Sequence, residues 1–349
     1  MVISRTPFRI SFFGGGTDYP TWFEKHGGVV LAATIDKYCY LTARRLPPIF
    51  EHRFRVIYSK IETCKTVAEI KHPVVKAVLR YLNINEGVEI HHDGDLPARS
   101  GMGSSSAFTV GLLHALKALQ GSRSDAHSLA SESIHLEQQV LRENVGSQDQ
   151  VQAAYGGLNH IAFLSHGQFS VRPVTLPLAR TEELNNHLML FYTGIVRTAS
   201  EVAATFLPTL EEAKRRQLRV FKDLVEEGLS VLYGGGDINE FGKLLDEGWK
   251  EKRSLSDRVS SADIDRIYET ARGKGAIGGK ITGAGGGGFL LLFVPPERQD
   301  AVRHALHPLV HVPFKFDSTG SQIIYFSSEA AYETGASSRP VSFASRFAA

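Results

Sequence analysis

The stretch Leu96–Leu119, LPARSGMGSSSAFTVGLLHALKAL, constrains the fold of this chain more than any other. Its second half is apolar at Ala107, Phe108, Val110, Leu112, Leu113, Ala115, Leu116, Ala118 and Leu119. That density on all faces predicts a helix buried in a core. A buried helix start needs partners for its free N–H groups and carries about half a positive charge. Gly101, Gly103 and three consecutive serines, Ser104, Ser105 and Ser106, stand at that start. Glycines let backbone amides approach a ligand closely, and serine hydroxyls add donors, which suits a phosphate. A serine cap on an ordinary core helix accounts for the same residues, and this stretch alone leaves both open.

A length of 349 residues favours two domains over one. The chain is 42% hydrophobic and 22% charged, the balance of a soluble globular protein. A formal net charge of +2 carries no signature of nucleic-acid or membrane binding. Cys39 and Cys64 have no CxxC spacing and suggest no disulfide framework, so a reducing cytoplasm is expected. The start, MVISRTPFRISFF, places Arg5 and Arg9 inside its apolar run, unlike a signal peptide. No apolar run approaches ~18 residues, so no membrane span is expected.

Val2 to Phe13 reads as a strand ending at Gly14-Gly15-Gly16, with a short helix around Thr21–Lys25. Val29 to Arg45, Arg53 to Lys60 and Gly87 to His92 read as strands, and His72 to Leu82 as a helix. After the buried helix, Ser124-Asp125 caps a second one with inward positions Ala130, Ile134, Glu137 and Leu141. Paired strands follow at Gly156–Leu164 and Gln168–Thr175. Pro173 to Asn186 is polar and irregular, and the domain boundary is placed there. Beyond it come a strand at His187–Thr193 and helices at Ser200–Phe206, Glu211–Tyr233, Ile238–Lys252 and Ala262–Arg272. The strand Phe289–Val294, a helix near Glu297–Leu306 and a last strand, Gln322–Phe326, complete the pattern. The tail from Ser327 reads as mobile. Strands mixed with helices without regular alternation point to an α+β class.

A Walker A sequence is absent, which argues against the usual P-loop nucleotidases. Gly283, Gly285 and Gly288 match GxGxxG, but a strand-like FLLLFV follows where a dinucleotide site needs a helix. His91-His92 and His304, His307 and His311 lack ligand-spaced partners and read as structural or solvated. Glu137 is more informative, because a carboxylate on an apolar helix face must be paired or bind a metal. Asp149, in the loop GSQDQ, is by itself only a turn residue. Beside a phosphate cradle, two acids suit a division of labour, one for magnesium and one for a proton. Arg9 inside the first strand needs an anion if it points inward and nothing if it points out. Asp18, after three glycines, can approach a small ligand or cap the next helix. Arg197 has the same ambiguity as Arg9.

Three ordered motifs resemble the GHMP kinase superfamily. PFRISFFGGGTDY, Pro7–Tyr19, is similar to PGRVNLIGEHTDY of galactokinases. The cradle is similar to PxGxGLGSSAA, and Lys280–Gly288, KITGAGGGG, is similar to KxTGAGxGG. Within the superfamily, RTPFRISFFGGGTDYP, GGVVLAATIDKY and HHDGDLPARSGMGSSS look most like the D-glycero-D-manno-heptose 7-phosphate kinase branch. Gly14-Gly15-Gly16 stands where galactokinases have GEH, which argues against galactose, while Asp18 keeps the sugar-binding aspartate position.

The resemblance implies an α+β fold in two domains. Residues 1–180 would form an ATP-binding domain like domain 2 of ribosomal protein S5. Residues 181–330 would form a ferredoxin-like domain, with 331–349 a mobile tail. It implies ATP and Mg2+ as cofactors. Ser105 and Glu137 would hold magnesium. Arg99, Ser100, Gly101, Met102, Gly103, Ser104 and Ser106 would wrap the ATP phosphates. Asp149 would be the base, with Arg9 stabilising charge beside it. Gly15, Gly16, Thr17, Asp18, Gly283, Ala284, Gly285, Gly286 and Arg197 would meet the sugar. The implied reaction is phosphorylation of the anomeric hydroxyl of D-glycero-D-manno-heptose 7-phosphate to the 1,7-bisphosphate, for nucleotide-activated heptose and surface polysaccharide. A kinase for fucose or an N-acetylhexosamine, or a non-catalytic sugar sensor on the same fold, are the alternatives. For the distal phosphate, the basic region Lys37, Arg44, Arg45, His52, Arg53 and Arg55 and the lone Arg197 are the candidates. The same residues also suit a solvated strand edge.

Overall fold

The computed structural model describes residues 1–195, 205 and 215–328. Arg197, most of the expected helix Ser200–Phe206 and the tail 331–349 lie outside the described residues.

The chain opens with β1 (Val2–Phe13), α1 (Pro20–His26) and β2 (Gly28–Arg45). β1 is buried almost throughout, because β2 flanks it on one side and a late strand on the other. Next come β3 (Phe54–Ile57), β4 (Ile61–Cys64), α2 (Pro73–Tyr81) and β5 (Val88–Gly94). The expected strand Arg53–Lys60 is shorter, Phe54–Ile57, and the chain turns after it into a second short strand. α3 (Ser104–Leu119) is the buried helix of the opening stretch. It lies directly on β1 at Gly111, where an added Cβ would stand 2.8 Å from Thr6 Oγ1. Ser4 Oγ also donates to the Gly111 carbonyl at 2.8 Å.

α4 (Ala126–His135) starts at an Asp125 capping box and ends in a π turn, Leu136–Val140. The extra residue in such a turn changes the helical phase. α5 (Gln148–Tyr155), β6 (Leu158–Phe163) and β7 (Phe169–Pro173) follow. The expected irregular linker holds a helix, α6 (Leu178–Asn186), tethered by Arg180 to the carbonyls of Val231 and Leu232.

Beyond it stand β8 (Leu188–Tyr192), α7 (Arg215–Tyr233), α8 (Asn239–Arg253) and α9 (Ala262–Gly273). β9 (Gly278–Ile281), β10 (Phe289–Phe293), α10 (Gln299–Ala305) and β11 (Val310–His311) come next. The chain closes with β12 (Phe316–Asp317) and β13 (Gln322–Phe326).

Two sheets result. The first has nine strands, with the path β13-β1-β2-β5-β3-β4; β6 and β12 pair along β2, and β7 pairs β6. The second runs β11-β8-β10-β9, all antiparallel, which in chain order is the 4-1-3-2 arrangement of a ferredoxin-like sheet. β12 and β13 return to the first sheet, so residues 316–326 pair with the N-terminal strands. An aromatic seam joins the two halves: Phe12 and Phe13 of β1 meet Phe241 of α8 edge-on at 5.4 and 5.0 Å. Among the described residues no helix is long and apolar enough to cross a membrane.

Candidate active site

A cavity of about 1060 Å³ runs between the two halves. Its middle is the loop before α3. Arg99, Gly101 and Gly103 all have positive φ, +60°, +79° and +73°. Alternating handedness curls a backbone so that its amides face one concavity. Two glycines also stand where a side chain has no room. A Cβ on Gly101 would meet the Thr282 carbonyl oxygen at 2.6 Å. A Cβ on Gly103 would meet Arg9 Cγ at 3.1 Å and Asp149 Oδ2 at 3.5 Å.

Arg9 is 3% exposed and points inward. Its Nε donates to Asp149 Oδ1 at 2.8 Å and its Nη2 to Oδ2 at 2.7 Å. Nη1 donates to the Gly101 carbonyl at 2.7 Å. One guanidinium therefore orients the carboxylate and pins the phosphate loop from below. Asp149 lies on the first turn of α5, where the sequence suggested a loop. Eight residues beginning Gln-Asp-Gln carry too little apolar periodicity to show a helix.

Asp18, 1% exposed, accepts from Gly16 N at 2.9 Å and from Gln148 N at 3.3 Å. It staples the glycine turn to the helix that carries Asp149. Burial pushes its carboxyl above the usual range, opposed by the amide of Gly16. Gly146 must be glycine for this contact, since a Cβ there would stand 1.9 Å from Asp18 Oδ2.

Glu137 sits in the π turn with no exposed surface. The sequence reading has Ser105 and Glu137 share a magnesium ion, and the serine hydroxyl bonded directly to Glu137 is that of Ser106. Ser106 Oγ donates to Glu137 Oε2 at 2.9 Å, and Gln150 Nε2 donates to the same oxygen. Ser105, exposed, turns toward the cavity instead, because consecutive helical residues point about a hundred degrees apart. Oε1 of Glu137 has no partner, and burial holds the carboxyl up to about 7. An unpartnered carboxylate oxygen directly behind serine hydroxyls fits a divalent cation. Among the described residues no three His, Cys, Asp or Glu side chains gather to cage one, so phosphate oxygens would complete its shell.

The other expected residues divide. Arg99, Ser104, Gly15, Gly16, Gly283 and Ala284 line the cavity. Ser100 and Met102 do not; both are buried, and Met102 supports the loop from behind through its carbonyl, which accepts from Arg9 N. Thr17 is fully buried and holds the turn, donating to the carbonyls of Gly14 and Val29. Gly285 and Gly286 pack on Val259 rather than facing the cavity. The GxGxxG match joins antiparallel strands β9 and β10, as the following strand pattern suggested.

The basic region does not reach the cavity. Arg44 and Arg55 pair with Glu89, Arg45 with Glu86, Lys37 with Asp36, and Arg53 donates to the Asn85 carbonyl. None of these, nor His52, lines the cavity. Lys60, Lys71, Lys252 and Lys280 do line it, and the last two are held by backbone carbonyls. Lys252 of α8 donates to the carbonyls of Ile281 and Gly283, and Lys280 of β9 donates to the Phe12 carbonyl at 2.8 Å. Neither has a carboxylate partner. Burial, with repulsion from Arg9, lowers the Lys280 ammonium to about 7; burial and the charges of Lys280 and Arg9 push Lys252 well below its usual range. Buried cations without a carboxylate favour an anionic ligand.

The far end of the cavity is aromatic. His72 stacks on Phe108 at 4.9 Å, with Tyr58 edge-on to His72 at 4.8 Å and His92 edge-on to Phe108 at 5.0 Å. Burial lowers both imidazoles, which favours neutral rings. These residues come from four separate segments and share no sequence spacing. Phe108 stands one helical turn beyond Ser104, so the aromatic end and the loop adjoin.

Residues 68–157 match the family described as GHMP kinases N terminal domain, and residues 221–309 match GHMP kinases C terminal. A D-glycero-alpha-D-manno-heptose 7-phosphate kinase from Campylobacter jejuni is 27% identical over 306 residues, covering 85% of this chain and 90% of that protein. A galactokinase from Pyrococcus furiosus is 25% identical over 336 residues, covering 86% and 91%. The crystal structure of a D-glycero-D-manno-heptose 1-phosphate kinase from Bacteroides thetaiotaomicron superposes with a TM-score of 0.77 at 25% identity, covering 94% of this chain and all of that one. With both domains matched in chain order and the fold shared over nearly its whole length, the chain belongs to the GHMP kinase family.

Proposed function

We propose that the chain transfers the terminal phosphoryl group of ATP, with Mg2+, to the anomeric hydroxyl of D-glycero-D-manno-heptose 7-phosphate, giving the 1,7-bisphosphate. The observation that carries this reading is the place of Asp149. Its carboxylate is held by Arg9 within 3.5 Å of where a Cβ of Gly103 would stand, so a base faces the phosphate loop across one cavity.

The geometry supports a division of roles. The aromatic end around His72 and Phe108 suits a flat purine base. The loop amides at 101–103 and the hydroxyls of Ser104 and Ser105 suit its phosphates. Glu137, with Ser106 and Ser105 in front of it, would hold magnesium. When bound, magnesium supplies positive charge to the phosphate oxygens. Asp149 takes the proton of the acceptor hydroxyl. An anomeric hydroxyl is more acidic than an ordinary alcohol, so a carboxylate suffices, and general-base assistance is worth roughly 10²–10⁴-fold. Arg9 fixes the carboxylate and places positive charge where negative charge develops.

The acceptor lies at the other end, among Gly15, Gly16, Asp18, Phe221 and Leu224. Lys252 and Lys280 border that end without carboxylate partners, which supports an acceptor that itself carries a phosphate. The heptose 7-phosphate kinase among the relatives supports the same acceptor. The test is ATP consumption across heptose 7-phosphate, unphosphorylated heptose, mannose, galactose, fucose and N-acetylhexosamines, with the product position read by phosphorus NMR. Turnover of heptose 7-phosphate with a new anomeric phosphate is expected. Preferential turnover of an unphosphorylated sugar would overturn the acceptor, and no turnover of any sugar would overturn the reading.

A further inference from the structure

Buried side-chain polar atoms without a hydrogen-bond partner occur at several places in the described residues. Only two of them belong to residues that line the cavity: Ser11 Oγ and Gln148 Oε1. Ser11 is 7% exposed, on β1 two residues beyond Arg9. Gln148 immediately precedes Asp149 on α5. The two converge on Gly15, where an added Cβ would stand 3.5 Å from Ser11 Oγ and 3.4 Å from Gln148 Nε2. The volume that a side chain at 15 would enter is therefore already bounded by a hydroxyl and a carboxamide.

A desolvated polar atom without a partner is costly, and a folded chain keeps one chiefly where a ligand or water completes it. A carbonyl oxygen accepts, so Gln148 Oε1 requires a donor; Ser11 Oγ both donates and accepts. A group with several O–H functions satisfies both together. Gln148 and Asp149 both line the cavity, so the two side chains border the same space.

Resting on the sugar-kinase reading above, we propose that Ser11 and Gln148 are the hydroxyl-reading pair of the acceptor pocket. They take non-reacting hydroxyls of a polyhydroxylated acceptor in place of the side chains absent at Gly15 and Gly16. A site built to hydrogen-bond a hydroxyl rejects an analogue lacking it far more strongly than an apolar pocket rejects a changed methylene. Acceptor choice then lies with these two side chains as well as with Asp18.

The experiment takes the acceptor with the highest turnover in the panel, together with its singly deoxygenated analogues, against wild type, Ser11→Ala and Gln148→Leu. Each variant should raise the acceptor KM roughly 10–100-fold while the ATP KM stays within about threefold. For one hydroxyl position per variant, removing the hydroxyl and removing the side chain should not be additive, because each deletes the same bond. A merely structural role would leave every deoxy analogue additive. Unchanged acceptor KM in both variants, or additivity at every position, overturns this inference and leaves the kinase reading standing. A chain that phosphorylates no sugar in the panel overturns both.

Discussion

Ser106 Oγ donates to Glu137 Oε2 at 2.9 Å and leaves Oε1 of the same carboxylate buried without a donor. That bond joins the first turn of α3 to the π turn after α4. It puts a half-satisfied acid directly beneath the phosphate loop. One oxygen of the carboxylate is paired, and the other has no hydrogen-bond partner.

Glu137 makes stability depend on pH in a defined direction. Its carboxyl is held at about 7 by burial, against an ordinary 4.5. Between those values the folded chain keeps a proton that the unfolded chain has lost, so stability falls as pH rises through that window. Without metal, wild type should lose on the order of 1–3 kcal/mol relative to Glu137→Gln between about pH 5 and about pH 8, read by urea unfolding. Magnesium with nucleotide should stabilise wild type at the higher pH and have a smaller effect on the variant. Parallel profiles for the two proteins would show that Glu137 is not the titrating group.

Asp149→Asn keeps the size but swaps one of the two oxygens that accept from Arg9 for an N–H donor, and on the proposed roles it removes the base. Turnover should fall by about 10²–10⁴-fold. Nucleotide affinity by calorimetry should stay within about threefold, because the proposed roles give Asp149 to the acceptor rather than to the nucleotide. Near-wild-type kcat in this variant would exclude Asp149 as the base.

The two glycine loops interdigitate, which gives a backbone test. Gly283 has φ +66°, and an added Cβ would stand 2.6 Å from Gly101 Cα. Gly121, at φ +76°, has nothing within 4 Å. Gly121→Ala should cost only the left-handed strain, about 1–2 kcal/mol. Gly283→Ala should cost more and should also raise the ATP KM, since it pushes the phosphate loop away. Equal losses in thermal unfolding for the two variants would mean that the loops yield to each other freely.

On the proposed roles, Lys280 should couple binding of the phosphorylated acceptor to protons. Burial lowers its ammonium to about 7, against an ordinary 10.5. In that window the unfolded chain holds a proton the folded chain lacks, so this lysine makes stability rise with pH from about 7 to about 10.5. A phosphate arriving nearby favours the charged form, so binding at about pH 8 should take up protons. Calorimetry in buffers of different ionisation enthalpy reads this directly. Lys280→Met should reduce the uptake, and an unchanged uptake would assign it to another group.

Much of the fold is legible in the residues because its elements are long and strongly patterned. β1, β2 and α3 show apolar density over twelve to eighteen residues, and the structure forms them nearly where expected. α5 and α6 are eight and nine residues long and rich in polar groups, so their helices are invisible to periodicity. The basic region misleads for a different reason. Charge can be counted along a chain, but Glu86 and Glu89 neutralise it only because β5 lies beside β2 and β3.

Sequence by itself determined that a buried helix begins at a glycine-serine loop, that an acid rides an apolar helix face, and that two further glycine motifs accompany them. Those are properties of local composition and spacing. Tertiary structure alone decided which serine meets Glu137, because the π turn sets the phase of that acid against α3. It gave the Arg9–Asp149 pairing, which the resemblance only implied across 140 residues, its geometry, and it alone set Lys252 and Lys280 on the same cavity. Ser11 and Gln148 became candidates for the same reason: a polar atom counts as unpartnered only after every neighbour has been placed.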